Sequence, residues 1–316
     1  MVNRPFRFMV SGISCESADQ LVSMARRAEQ LGYDCMVFSD HRWDEPAPIP
    51  SMVMAATATH RLRVGTYVLN NDFRHPVLLG QELSTVDVWS RGRLLVGLGA
   101  GWNAEEYELC GLPFDPGAVR VRRLNESIQI LKRFFAGKPF DFEGDFYHVR
   151  GVEGRPLPLQ QPHPPLLIGG SGRAILSLAA READVVGLAP RVIAAGRPDI
   201  LNMLAPATDQ KLGWIRQAAG ARFEELEIGT YRFFKPLEIT EHASRRAREV
   251  ADEFGERFGA QVTPEEILDS PHLFFGTVEQ LVDKCLAMRE RWQISNIMIW
   301  NELEEFAPVV ERLAGR

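Results

Sequence analysis

Four short segments of the 316-residue sequence carry groups that could do chemistry. Ser39-Asp40-His41 follows the apolar run Cys35–Phe38, which reads as a strand. In a parallel α/β barrel, side chains at strand C-termini line the active-site mouth. Histidine titrates near neutrality, so His41 suits proton transfer, with Asp40 beside it to orient the ring. The plainer alternative has Asp40 capping a turn and His41 on the surface. Gly65–Pro76 runs a strand into a polar loop that would bring Asn70, Asn71, Arg74 and His75 to the same end. Asn-Asn-Asp is also ordinary turn chemistry, and Asp72 or His75 can cap the helix that Pro76 opens.

The other two segments act through their backbone. Gly99-Ala100-Gly101-Trp102-Asn103-Ala104 has the GxGxxA form of a dinucleotide fingerprint. That fingerprint belongs to a first βα unit, and here three units precede it, so a nicotinamide dehydrogenase rests on this match alone. The glycines read better as letting something flat approach the backbone, against a tight turn that holds nothing. In Leu166–Arg173, a strand ends in Gly169-Gly170-Ser171-Gly172 and Arg173 opens a helix. Backbone N–H groups and the helix dipole make an anion site there, suited to a phosphate.

These segments need a frame to position them. Strands are expected at Phe6–Val10, Cys35–Phe38, Leu62–Leu69, Arg93–Leu98, Leu166–Ile168, Asp184–Leu188, Ile228–Phe234 and Asn296–Trp300. Helices alternate with them at Ala18–Leu31, Ser51–Ala58, Pro76–Val88, Arg120–Phe135, Arg173–Ala180 and Glu304–Leu313, with Gly32 closing the first. This alternation predicts one domain over 1–316, an α/β (β/α)8 TIM barrel. A plain barrel needs about 250 residues, so the surplus must sit in insertions. One is placed at 140–165, a hairpin turning at Glu143-Gly144 followed by a Pro-rich connector. The second, about 189–223 between the sixth and seventh strands, would be a lid.

The remaining composition excludes more than it selects. Thirty-six Lys+Arg against 42 Asp+Glu give a net charge of −6, with no electrostatic footprint for nucleic acid. No apolar run approaches the ~20 residues that cross a bilayer, and the N-terminus lacks a signal-peptide core. The four cysteines lack CxxC spacing and the seven histidines lack HxxxH or HxH spacing, which argues against a metal site. The chain reads as cytoplasmic. Glu302, Glu304 and Glu305 read as a solvated charged face.

The order of motifs resembles the bacterial-luciferase-like flavin/deazaflavin oxidoreductase superfamily. The resemblance is carried by Ala28-Glu29-Gln30-Leu31-Gly32-Tyr33-Asp34, Ser39-Asp40-His41, Leu62-Arg63-Val64-Gly65-Thr66, Arg91-Gly92-Arg93, Gly97–Asn103, Glu105-Glu106-Tyr107 and Pro164–Gly170. Arg4–Phe8 and Asn70–Pro76 resemble the actinobacterial subgroup assigned to coenzyme F-420, a deazaflavin.

The resemblance implies a tricyclic ring at the C-terminal mouth, over a non-proline cis peptide whose matching position is Tyr67-Val68, after Thr66. It implies that Gly169, Gly170, Ser171, Gly172 and Arg173 hold the phosphate, and that Asn103 and the Gly99, Ala100 and Gly101 backbone lie beside the ring. Asp40 and His41 match the Asp-His pair of deazaflavin-dependent sugar-phosphate dehydrogenases. Their catalytic glutamate is replaced by Trp102. Trp43 comes too early to match their tryptophan, and Asp44 and Glu45 follow, so a sugar phosphate is disfavoured. The implied activity is F-420-dependent hydride transfer with a small-molecule substrate in a homodimer. The alternatives are a reduced-FMN monooxygenase fed by a separate reductase, and a non-catalytic binding protein of this fold. A basic groove near the phosphate turn would favour the deazaflavin, with Arg155, Arg173 and Arg197 as candidates.

Overall fold

The computed structural model describes residues 4–41, 45–193 and 197–316. Its strands, in chain order, are β1 (Arg7–Ser11), β2 (Cys35–Phe38), β3 (Arg63–Thr66), β4 (Leu69–Asn70), β5 (Leu94–Gly99), β6 (Phe140–Glu143), β7 (His148–Val152), β8 (Leu166–Gly170), β9 (Val185–Leu188), β10 (Glu227–Tyr231), β11 (Glu238–Ile239), β12 (Phe275–Gly276) and β13 (Ile294–Ile299). The hydrogen-bonded order β3-β2-β1-β13-β10-β9-β8-β5 returns to β3, so eight parallel strands close into a barrel. The short β4 continues β3 beyond a break and pairs with β5. Closure explains why β2 and β5 are apolar throughout: each is buried along its whole length.

The helices are α1 (Ala18–Gln30), α2 (Pro48–Ala58), α3 (Pro76–Trp89), α4 (Ala104–Leu109), α5 (Gly117–Phe135), α6 (Arg173–Glu182), α7 (Ala205–Ala219), α8 (Ala243–Phe258), α9 (Pro264–Asp269), α10 (Val278–Trp292) and α11 (Leu303–Leu313). Their apolar stripes pack on the outside of the barrel. Leu21, Ala25 and Ala28 of α1 and Leu124, Ile128 and Leu131 of α5 meet Phe8, Val64 and Val96 in one core. A second, smaller cluster fills the barrel itself: Met9, Cys35, Val37, Leu95, Leu167, Val185 and Met298, with Tyr67, Val68 and Tyr231 packed against it.

All eight expected strands exist, within a few residues of their expected bounds. The expected third strand, Leu62–Leu69, is split: the Tyr67–Val68 peptide is cis, and β4 resumes after it. The hairpin insertion forms as expected from β6 and β7, with Glu143 opposite His148. Its turn docks on α5, where Glu126 accepts the backbone N–H groups of Asp145, Phe146 and Tyr147.

The second insertion needs correction. Residues 205–219 are α7, a regular barrel helix whose Ala205, Thr208, Leu212 and Ile215 are buried at helical spacing. Only 189–204 is an excursion after the sixth barrel strand. The larger one follows β10: residues 232–277 hold α8, α9 and a two-stranded β11–β12 sheet, with a core around Val250, Phe254 and Ile267 that also takes in Ile200 and Met203. No helix among the described residues is long and apolar enough to cross a membrane.

Candidate active site

The C-terminal ends of the strands define the mouth, and the break in β3 shapes its floor. At the break, the Thr66 hydroxyl donates to Gly97 O at 2.8 Å and accepts from Gly97 N at 3.0 Å, pinning β3 to β5. A Cβ on Gly97 would stand 1.8 Å from Thr66 O, so only glycine fits there. Past the cis bond, Val68 projects across the barrel. Its side chain occupies the space that a Cβ would take at Gly99 (2.6 Å) and Gly169 (3.3 Å). Tyr67 reaches Gly187, where a Cβ would meet its hydroxyl at 2.5 Å, and its ring meets Tyr231 edge-on at 5.5 Å. That hydroxyl is buried without a hydrogen-bond partner among the described residues. Burial, and secondarily Tyr231, pushes it well above the ordinary tyrosine range, so it stays a neutral donor. Three strand-end glycines thus make room for a Tyr67–Val68 platform.

His41 stands beside this floor. Its Nδ1 lies 2.8 Å from Oε1 of Glu106, and its ring meets Trp102 edge-on at 5.7 Å. Asp40 was expected to orient His41. The structure gives its carboxylate other work: it holds Arg74 through both oxygens (2.6 and 3.1 Å) and accepts Asn70 N at 3.0 Å. Asp40 therefore ties the end of β2 to the loop after β4, and the carboxylate at His41 Nδ1 is that of Glu106. The comparison of Trp43 and Asp44 with the dehydrogenase pattern lies outside the described residues.

The two glycine-rich turns differ. At Gly99–Asn103 the protein fills its own space. Gly101 has φ +74°, and a Cβ there would stand 2.1 Å from the Tyr107 hydroxyl. Ala100 O accepts from Arg120 Nε at 3.1 Å, and Asn103 accepts Glu105 N at 3.2 Å, capping α4. Asn103 is thus committed at least partly to the helix. At Gly169–Arg173 the turn is open. A Cβ on Gly172 meets nothing within 4 Å, and Gly172 caps α6 without any side-chain bond. Uncapped N–H groups at a helix start fit an anionic group such as a phosphate, so this turn could hold one.

Of the three arginines, Arg173 opens α6 itself and reaches Gln217 at 3.2 Å. Arg155 pairs with Glu153, between β7 and the start of β8, at the opposite end of the barrel from the turn. Arg197 lies over the Phe258 ring of α8. A basic groove from all three is not formed.

Across the mouth stands a pair the sequence reading missed. Arg232, just past β10, binds Glu302 at 2.7 Å, with both side chains nearly buried, and its guanidinium lies over Trp300 at 4.9 Å. Glu302 also accepts Leu237 N and Trp300 N. It is therefore no part of a solvated face, whereas Glu304 pairs with Arg27 on the surface, as such a face would. No group of three or more His, Cys, Asp or Glu among the described residues could hold a metal ion.

Comparison with known proteins matches this geometry to a family. The chain is 36% identical over 127 residues to the FMNH(2)-dependent dimethylsulfone monooxygenase of Pseudomonas putida, covering 40% of this chain and 35% of that protein. It is 32% identical over 189 residues to the F-420-dependent glucose-6-phosphate dehydrogenase of Microbacterium testaceum, covering 57% of this chain and 55% of that one. The chain thus spans only part of these relatives. Its fold is shared by the coenzyme F-420-dependent tetrahydromethanopterin reductase of Methanopyrus kandleri, with a TM-score of 0.74, 17% identity and 99% of both chains covered. The luciferase-like monooxygenase family model matches residues 3–293, and the chain belongs to that family of oxidoreductases.

Proposed function

We propose that the protein is a coenzyme F-420-dependent oxidoreductase that exchanges hydride with a small organic substrate. The observation that carries the cofactor site is the Tyr67–Val68 platform, seated in strand-end glycines, with the Gly169–Gly172 turn at its edge, and the similarity to an F-420-dependent dehydrogenase supports the deazaflavin. Residues Gly169–Arg173 would hold the cofactor's phosphate, with Val68 and Gly99 under its ring. Bound there, the deazaflavin supplies hydride exchange at its C5. The protein supplies position, water exclusion and a proton site. Val68 and Tyr67 would bear the ring, Trp102 would screen His41, and His41 would take or return the substrate's proton.

A second reading has support of its own. The relative with 36% identity is named as FMNH(2)-dependent, so a reduced-FMN monooxygenase served by a separate reductase uses the same platform. Side-by-side titration with F-420 and FMN, oxidised and reduced, separates the two. Selective deazaflavin binding is expected, and selective binding of reduced FMN would move the protein to the monooxygenase reading. His41→Ala should abolish turnover and leave cofactor affinity within about twofold. Near-normal turnover by that variant would remove His41 from the mechanism.

A homodimer is part of the same proposal. Leu78 and Trp89 on α3 are 61% and 62% exposed and, eleven residues apart, fall on one face of the helix, which supports α3 as the contact between copies. Sedimentation should give a dimer that Leu78→Glu with Trp89→Glu converts to monomer.

A further inference from the structure

Helix α4 has six residues, too few to be stable by itself. It is held by Tyr107, which is fully buried. The Tyr107 hydroxyl lies 3.0 Å from both Asn70 Oδ1 and Asp72 Oδ2 and 3.4 Å from Ala100 O. Its ring packs between Phe73 at 5.6 Å and Phe114 at 4.9 Å. Asn103 caps the helix start. The placement of α4 is thus accounted for without its neighbouring side chain, Glu106.

Glu106 is nevertheless only 3% exposed, and burying a carboxylate is costly unless something holds it. Its Oε1 stands 2.8 Å from His41 Nδ1. Asp40, next to His41 in the chain, has its charge matched by Arg74. The carboxylate that meets the imidazole therefore comes from 65 residues further on. An imidazole whose Nδ1–H is accepted by a carboxylate keeps its lone pair on Nε2 and gains a neighbour that stabilises the imidazolium.

We propose that Glu106 is the positioning residue for His41: it accepts the Nδ1 proton, fixes the tautomer with Nε2 as the basic nitrogen, and balances the charge when Nε2 holds the substrate's proton. The tautomer is argued from the 2.8 Å contact, because an ionised carboxylate can only accept. Its use in proton transfer rests on the function proposed above.

Imidazole nitrogen NMR of the 15N-histidine-labelled free protein tests the tautomer directly, with His41 assigned by the signals lost in His41→Gln. The neutral ring should carry its proton on Nδ1 in the wild type and shift toward the Nε2-protonated form in Glu106→Leu, with the other six histidines unchanged. An Nε2 proton in the wild type overturns the proposal without needing any variant to fold. With a turned-over substrate, Glu106→Gln should lower kcat about 10- to 100-fold at nearly constant KM, and Glu106→Asp should recover part of it. Equal loss in both variants with an unchanged His41 spectrum would reduce Glu106 to an anchor of α4. If neither cofactor supports turnover while the tautomer behaves as stated, the proposed function fails and the His41–Glu106 pairing stands.

Discussion

The turns Gly99–Asn103 and Gly169–Arg173 look alike in sequence: each follows a buried strand, is rich in glycine and opens a helix. In the structure they differ at the last glycine and at the helix start it opens. The glycines of the first admit other parts of the protein. Val68 fills the space at Gly99, Tyr107 fills it at Gly101, and Arg120 holds Ala100 O. At the second, Val68 stands 3.3 Å from a Cβ on Gly169 and Ile175 fills the space at Gly170 (2.3 Å), but Gly172 faces nothing and α6 is uncapped. A glycine-rich turn is thus a ligand site only when the space its missing side chains leave is not already occupied. The first turn builds the mouth, and the second ends on a helix start that no side chain caps.

The largest effect should come from closing the occupied turn. In Gly101→Ala, the new Cβ collides with the Tyr107 hydroxyl, and an L side chain is strained at φ +74°. The hydroxyl is fixed by Asn70 and Asp72, so it cannot move aside cheaply. Denaturant unfolding should show a loss of about 2–4 kcal/mol. A loss below about 0.5 kcal/mol would mean that this turn has slack, and the contrast with the second turn would weaken.

This contrast was not legible in the sequence, although the frame was. Apolar runs located every barrel strand, because a strand buried on both faces has no alternation to lose. The motif Gly65-Thr66-Tyr67-Val68 located the cis bond through family resemblance. The strand ending in glycines and the helix opening at Arg173 were legible, and the missing cap was not. Glu106 entered only within Glu105-Glu106-Tyr107, as part of the resemblance and without a role. Only the burial of Tyr107 fixes the helix phase that turns Glu106 inward. Glu302 was misread for the same reason: one of three acids points inward, and its partner Arg232 lies 70 positions earlier. The excursion after β10 was missed although Ala243, Ala247, Val250, Ala251 and Phe254 keep helical spacing, because charged residues dominate between them.

A pH-dependent effect, smaller over any one pH unit, should come from the support behind the open turn. Ala189 N donates to Gly170 O, and Ala189 O accepts from Lys211 Nζ at 2.9 Å. Lys211 also donates to Asn202 O at 3.0 Å, so one buried amine closes both ends of the 189–204 loop. Burial pulls its pKa down from 10.5 to about 7, with Asp199 opposing and Arg191 assisting. A folded pKa below the unfolded one means that the folded state binds fewer protons between about 7 and 10.5. Stability from this group is therefore complete above pH 10.5 and is lost as the pH falls toward 7. Relative to Lys211→Met, the wild type should gain about 1 kcal/mol per pH unit across that window in urea titrations. A pH-independent difference would mean that Lys211 titrates normally and does not stiffen the turn through its buried amine.

The smallest change in stability, and the sharpest test of the contrast, should come from Gly172→Asp. Gly172 has φ −98° and ψ 158°, an extended N-cap conformation that aspartate adopts readily. With no atom within 4 Å of the new Cβ, nothing has to shift. The carboxylate would accept the orphan N–H groups of α6 and face its positive end, adding about 0.5–1 kcal/mol to the unfolding free energy. The same charge would occupy the place proposed for the cofactor phosphate. Repulsion at roughly 5 Å in a partly wet site is worth a few kcal/mol before screening, so cofactor affinity should fall at least about tenfold. Opposite signs in the two measurements, higher Tm and weaker binding, are the signature of a helix start left uncapped for a ligand. A gain in Tm with unchanged affinity would place the phosphate elsewhere. A loss in Tm would mean that the turn is occupied after all, and the two glycine-rich turns would no longer differ in kind.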